Sequence, residues 1–161
     1  MRVAVFFSFH YGRDAMRVQQ ILQMGALEGQ TILNAQDWQS VQRRGKEAIA
    51  AWIDEQMLYK TAAIVLIGSE TASRPWVQYE VRKAWNDRRS LLGVRIHGLS
   101  DPRTGTDRPG TNPFRTIHLP GGESAADHIP VFVPSGTTSQ EVHGSIRANL
   151  KTWASRGYKR P

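Results

Sequence analysis

A flavodoxin-like α/β fold, a doubly wound parallel sheet of about five strands, is predicted by three observations on the sequence. Val3 to Phe7 and Ala62 to Ile67 are uninterrupted apolar runs, and a strand without polar alternation is one covered on both faces. Amphipathic helical patterns lie between such runs. The two kinds of segment then alternate as strand and helix along the chain, the order that parallel crossover connections produce.

Taken in order, strands are expected over 2–9, 31–33, 61–68, 91–96 and 129–133, the last with Pro130 near its start. Helix is expected over 14–24, where Val18, Ile21 and Leu22 share a face, and over 46–58, where Ile49, Trp52, Ile53 and Met57 do. Ser73 can cap a third helix that has Pro75 in its first turn and runs to about residue 86. A fourth, over 140–154, carries Val142, Ile146, Leu150 and Trp153 on one side. Residues 98–128 break the alternation with the turn signals Asp101-Pro102, Pro109-Gly110, Asn112-Pro113 and Pro120-Gly121-Gly122. A loop of that length inside a compact domain is usually functional or disordered. No repeat and no second domain is evident, so residues 1–161 read as one domain.

The 161 residues are 40% hydrophobic, enough for a real core. With no cysteine, disulfide scaffolds, zinc ribbons and thiol nucleophiles are excluded together. His10, His97, His118, His128 and His143 show no metal-ligand spacing, so no metal is expected. The apolar runs are too short to span a bilayer and the N-terminus has no signal-peptide pattern, which predicts a cytoplasmic protein without a membrane partner. Lys and Arg number 21 against 14 Asp and Glu, a net charge of +7, but the basic residues are scattered. Nucleic acid is therefore not the expected partner, and an anionic small ligand fits the charge as well.

In sheets of this kind the ligand lies beyond the carboxyl ends of the strands. The residues there are Ser8-Phe9-His10-Tyr11, Asn34-Ala35-Gln36-Asp37-Trp38 and Gly68-Ser69-Glu70-Thr71. Neither a GxGxxG fingerprint nor a P-loop occurs among them, and the clustered acids of a receiver domain are missing. The third helix holds the anomaly: Glu80 shares the apolar stripe of Val77, Val81 and Ala84, with Trp76 one turn before it. Spacing alone leaves open whether Glu80 is paired with Arg13 or Arg82 or serves a site. It equally allows His10 as a structural histidine, Phe9 and Tyr11 as core, Asp37 as a helix cap, Trp38 as packing over the sheet edge and Ser69 as a turn cap. Trp52 and Trp153 read as core.

Several blocks in order are more informative than any one: Val5-Phe6-Phe7-Ser8-Phe9-His10-Tyr11, Trp52-Ile53-Asp54-Glu55-Gln56, Val65-Leu66-Ile67-Gly68-Ser69-Glu70-Thr71, and Arg74-Pro75-Trp76-Val77-Gln78-Tyr79-Glu80. Together with Leu91-Leu92-Gly93, Ile96-His97 and Asn112-Pro113-Phe114, they resemble the TIR-like domain of the Thoeris anti-phage defence systems, the ThsB family, over roughly residues 1–120.

The resemblance implies an enzyme that cleaves the nicotinamide glycosidic bond of NAD and makes a cyclic or otherwise modified ADP-ribose messenger. NAD would be substrate, with no cofactor. The family's catalytic glutamate falls on Glu80, and its nucleotide crevice on Ser8, Phe9, His10 and Trp38. Trp76, Phe9 and Trp38 are then candidates to stack on nicotinamide or adenine, and Ser69 borders the crevice. An aspartate would be expected where this chain has Asn34, with Asp37 as the candidate replacement. The implied partners are a separate effector reached by the diffusible nucleotide, a phage-derived activator, and further copies of the chain in a homo-oligomer. The competing readings are a non-enzymatic interaction module of the same fold, a nucleoside-processing transferase and a nucleic-acid binder.

Overall fold

The structure is a computed structural model that describes residues 3–30, 32–33 and 35–161, of Ala35 the backbone alone. Four strands, β1 (Val5–Ser8), β2 (Ala62–Ile67), β3 (Ser90–Arg95) and β4 (Val131–Phe132), pair in parallel in the order β1-β2-β3-β4. Among the described residues five α-helices surround them: α1 (Tyr11–Gln23), α2 (Ala35–Arg43), α3 (Lys46–Met57), α4 (Pro75–Asn86) and α5 (Ser139–Ala154).

The strands read as continuous apolar runs because both faces of the sheet are covered. Phe6, Ala63, Val65, Ile67 and Leu91 point to one side, where α2, α3 and α4 contribute Val41, Ile49, Ile53, Val77 and Val81. Val5, Phe7, Ile64, Leu66, Leu92 and Val94 point to the other, against Val18 and Ile21 of α1 and Val142, Ile146 and Leu150 of α5. The period-2 alternation of a strand thus divides one apolar run between two cores.

Among the described residues the sheet has four strands, one fewer than the sequence suggests. Of the strand expected over 31–33, Thr31 lies outside the described residues, and Ile32 and Leu33 are not in a strand. Its place beside β1 is taken by residues 28–30. The Val5 N–H donates to the Glu28 carbonyl at 2.8 Å, and the Glu28 N–H donates to the Val3 carbonyl at 3.0 Å. Two residues on, a side chain replaces the backbone: Phe7 N–H donates to Gln30 Oε1, and Gln30 Nε2 donates to the Phe7 carbonyl, both at 2.8 Å. Gly29 allows the close approach, since a Cβ there would lie 2.7 Å from the Phe7 ring. The order across the sheet is therefore that of a flavodoxin-like fold, with the topological switch between β1 and β2.

Local chemistry shifts several boundaries. α4 is preceded by Arg74 as its N-cap; Ser73 instead belongs to a single 3-10 turn, Thr71–Ser73, and donates its hydroxyl to the Glu70 carbonyl. α2, for which the sequence offered only a short turn at Asp37, is nine residues long. α5 starts from a reciprocal capping box between Thr138 and Glu141. The 98–128 segment is packed against the body: Phe114, Ile117 and Ala125 are buried around two 3-10 turns, Pro113–Thr116 and Ala125–Asp127.

Candidate active site

Pro75 supplies a preset φ for the first turn of α4, and helical spacing then turns Val77, Glu80, Val81 and Ala84 inward. Ser8, the last residue of β1, follows the pleat to the same side of the sheet. Its hydroxyl donates to Glu80 Oε1 at 2.6 Å. Ser8 is 1% exposed and Glu80 8%. Burial pushes the Glu80 carboxyl up to about 8, the Ser8 hydrogen bond opposing it. Arg13, a possible partner by sequence, pairs instead with Glu70 at 2.8 Å and with Asp107 at 2.7 Å. Among the described residues no ion pair involves Glu80 or Arg82.

Glu80 lines an inner pocket of about 60 Å³ whose other walls include Phe9, Tyr11, Trp38, Trp52 and Trp76. Four of those aromatics, Phe9, Tyr11, Trp38 and Trp76, also line an open cavity of about 650 Å³. That volume lies within the range of about 300–1,000 Å³ common for small-molecule sites. The rings brace one another: Phe9 stacks on Tyr11 at 5.9 Å, Tyr11 meets Trp38 at 5.7 Å, and Trp38 meets the edge of Trp52 at 5.8 Å. A carboxyl group at the base of an aromatic pocket suits a ligand that is flat and carries or develops positive charge.

Comparison with known families decides the lineage. The family model described as "Thoeris protein ThsB, TIR-like domain" matches residues 6–101, from β1 through β3. The chain belongs to the ThsB TIR-like family. It is also similar to "Putative cyclic ADP-D-ribose synthase ThsB1" of Bacillus cereus (strain MSX-D12), 27% identical over 120 residues. That match takes in 71% of this chain and 62% of the relative, so the chain spans less than two thirds of the relative's length. Both Ser8 and Glu80 lie in the segment that marks the ThsB family.

The other residues singled out from the sequence distribute unevenly. Phe9, His10, Trp38 and Trp76 all line the large cavity. His10 sits at the N-cap of α1 without a side-chain cap bond, and its buried Nδ1 has no hydrogen-bond partner among the described residues. Burial, and next the Arg74 guanidinium, hold its imidazole below the usual range, which favours the neutral ring. Asp37 is exposed in the first turn of α2 and lines neither cavity, although its charge helps raise the Tyr11 phenol. Ser69 is not brought to Glu80. It donates to Asp107 Oδ2 at 2.8 Å and borders a separate pocket with Arg13, Glu70 and Arg108. Asn34 lies outside the described residues.

Two further aromatics face the cavities: Tyr11, for which spacing left core or site open, lines both, and Trp52, read as core, lines the inner one. Trp52 keeps the helical stripe of a core residue, so its period carries no sign of the pocket. Arg74 and Arg103 also line the large cavity. Arg74 could have been found from its place directly before Pro75-Trp76; Arg103, in the long loop, has no such signal. Among the described residues no group of three His, Asp or Glu is placed to hold a metal ion, and no helix is long and apolar enough to cross a membrane.

Proposed function

We propose that this chain cleaves the bond between ribose C1′ and the nicotinamide nitrogen of NAD and releases a cyclic or otherwise modified ADP-ribose, with Glu80 as the catalytic residue. The observation that carries the reading is the buried Glu80 carboxyl, held by Ser8 and lining an aromatic pocket that shares four aromatic walls with an open cavity. The name of the Bacillus cereus relative, which contains "cyclic ADP-D-ribose synthase", supports the same chemistry.

As the bond breaks, its electron pair stays on the pyridinium nitrogen, so nicotinamide leaves neutral and needs no proton. Positive charge grows on the ribose ring instead, and a fixed carboxylate beside the ring stabilises it. Glu80 must be ionised to do this. Its burial holds the proton past neutrality in the free protein, but the pyridinium charge of bound NAD favours the carboxylate. Substrate thus brings the base into its active form. Capture of the ribosyl cation by water, with loss of a proton, gives ADP-ribose; capture by a nucleophile of the same molecule closes a ring and is favoured when the folded-back conformer is held. Trp38 and Trp76 supply faces on which nicotinamide or adenine can stack and help exclude water.

The test is incubation of the purified protein with NAD, alone and with phage-infected extract, followed by chromatography and mass spectrometry. Release of nicotinamide, lost on the order of a hundredfold to a thousandfold in Glu80→Gln, is the expected result. Full turnover by Glu80→Gln would remove the mechanism. No turnover in either condition would favour a non-enzymatic interaction module.

A further inference from the structure

The two cavities, which share four aromatic walls, differ in their ionisable side chains. Among the described residues the carboxyl that lines the inner pocket is that of Glu80. Among the described residues the arginines that line the 650 Å³ cavity are Arg74 and Arg103, and no Asp or Glu lines it. Two other arginines at this end of the sheet already have carboxylate partners. Arg13 is bound by Asp107 and Glu70, and Arg17, fully buried, pairs with Asp14 at 2.8 Å. Arg74 is different: it is exposed, and among the described residues no hydrogen bond or ion pair holds its guanidinium.

Arg103 arrives from the long loop, and its position is set. Arg17 Nε donates to the Leu99 carbonyl and Arg17 Nη2 to the Gly105 carbonyl, each at 2.8 Å, which fastens the loop on both sides of Arg103. The Arg103 N–H donates to Asp101 Oδ1 at 2.7 Å, and its Nε lies 3.4 Å from the same oxygen. The side chain nevertheless stays 66% exposed. Asp101 orients the stem while the outer nitrogens remain available to a ligand.

From this we infer that Arg74 and Arg103 form a diphosphate subsite in the outer cavity, which together with Glu80 orients a dinucleotide with its cationic ribosyl end inward. The inference rests on the reading of Glu80 given above, but its own evidence is the placing of two guanidinium groups on the outer cavity and of a carboxyl on the inner one. An anion between the two guanidinium groups is attracted by both, and Asp101, which pairs with Arg103 through Nε, leaves the outer nitrogens of Arg103 to it. A guanidinium also presents paired donors that match phosphate oxygens. A dinucleotide has the complementary pattern, a positive ring at one end and two negative phosphates in the middle. Adenosine, which lacks phosphate, would use only the aromatic faces.

The decisive experiment titrates the full chain with ADP-ribose and, separately, with adenosine, and follows heat or tryptophan fluorescence at low and moderate salt. Arg74→Ala and Arg103→Ala are each expected to weaken ADP-ribose binding about tenfold, as for an exposed charge-assisted hydrogen bond, and to leave adenosine binding unchanged. Lysine at either position should restore part of the loss. Arg147→Ala, an equal charge change at an exposed residue of α5 away from this cavity, should bind like the parent. Melting curves that match the parent show that the variants are folded.

Undiminished ADP-ribose binding by the Arg74→Ala/Arg103→Ala double variant would overturn the subsite. So would an equal loss of adenosine binding, or failure of the parent chain to bind ADP-ribose at all. The fate of the NAD-cleavage reading is separable. Arginine-dependent binding of ADP-ribose without nicotinamide release would uphold the subsite and sink the cleavage reading. Nicotinamide release with an unchanged KM in the double variant would do the reverse.

Discussion

Ser8 and Glu80, 72 residues apart in sequence, meet through a 2.6 Å hydrogen bond in which the serine hydroxyl donates to Glu80 Oε1. A donor to the ionised form favours that form, so Ser8 holds the carboxyl lower than burial alone would leave it. Ser8→Ala should therefore move the acidic limb of the kcat/KM profile for NAD cleavage upward from about 8. Activity near pH 7 should fall more than activity near pH 9. This is measured as nicotinamide release across pH at subsaturating NAD. An equal loss at every pH would mean that Ser8 contacts substrate instead of tuning Glu80.

The same buried carboxyl has a cost in stability whose sign can be worked out. The Glu80 group rises from its ordinary 4.5 to about 8 on folding. Between those values the folded chain holds a proton that the unfolded chain has lost, so stability falls as pH rises and the penalty is complete above about 8. Its full size is on the order of 5 kcal/mol, a ceiling, because water penetration and relaxation reduce it. Glu80→Gln removes the titration and keeps an acceptor for Ser8. Its melting temperature should match the parent near pH 4.5 and exceed it increasingly toward pH 8.5. A constant difference across that range would show that Glu80 titrates normally.

Arg17 and Asp14 are both fully buried and form an i, i+3 pair on α1, from which Arg17 reaches the Leu99 and Gly105 carbonyls. Arg17→Met keeps the length of the stem but strands the Asp14 carboxylate, whose Oδ2 already has no hydrogen-bond partner among the described residues. Breaking a buried pair from one side typically costs about 3–5 kcal/mol. The urea midpoint should drop accordingly, with less loss at low pH, where Asp14 accepts a proton that burial already favours. Asp14→Asn/Arg17→Met should recover part of the stability, because no lone charge is left behind. A double variant as unstable as Arg17→Met would locate the loss in the loop anchor.

What was legible in the sequence, and what was not, follows from the range of the forces involved. The covered sheet, the inward turn of Glu80 and its neighbourhood with Trp76 can be read because apolar runs and helical periods are local signals. The ThsB family could be read for a related reason: most of its blocks lie in or beside β1, α3, β2, α4 and β3, and the match over 6–101 takes them in except for Val5 and Asn112-Pro113-Phe114. By contrast, the Ser8 partner of Glu80 is set by which strand lies beside α4, a fact of packing that no spacing encodes. Trp52 keeps a core stripe while one edge of it faces a pocket. Arg17 looks like a surface arginine until the loop at 99–105 covers it.

Gln30 is the clearest example of a residue whose role composition hides, and it yields a sharp test. Its side-chain amide accepts from Phe7 N–H and donates to the Phe7 carbonyl, continuing the pairing of β1 where a neighbouring strand would otherwise run. Gln30 is 5% exposed and Phe7 2%, so water does not readily take over either bond. In Gln30→Leu two buried backbone groups lose their partners, at about 1–3 kcal/mol each. The variant should unfold at lower urea, and the Phe7 amide should exchange with solvent faster relative to the amides of β2. Gln30→Glu separates shape from hydrogen bonding. Its protonated form can both donate and accept, while its ionised form can only accept and is charged and buried. Its stability should stay near the parent at low pH and decline as pH rises through the carboxyl's burial-raised titration. If Gln30→Leu leaves both the urea midpoint and the Phe7 exchange rate unchanged, residues 28–30 do not complete the sheet, and the edge of β1 is open.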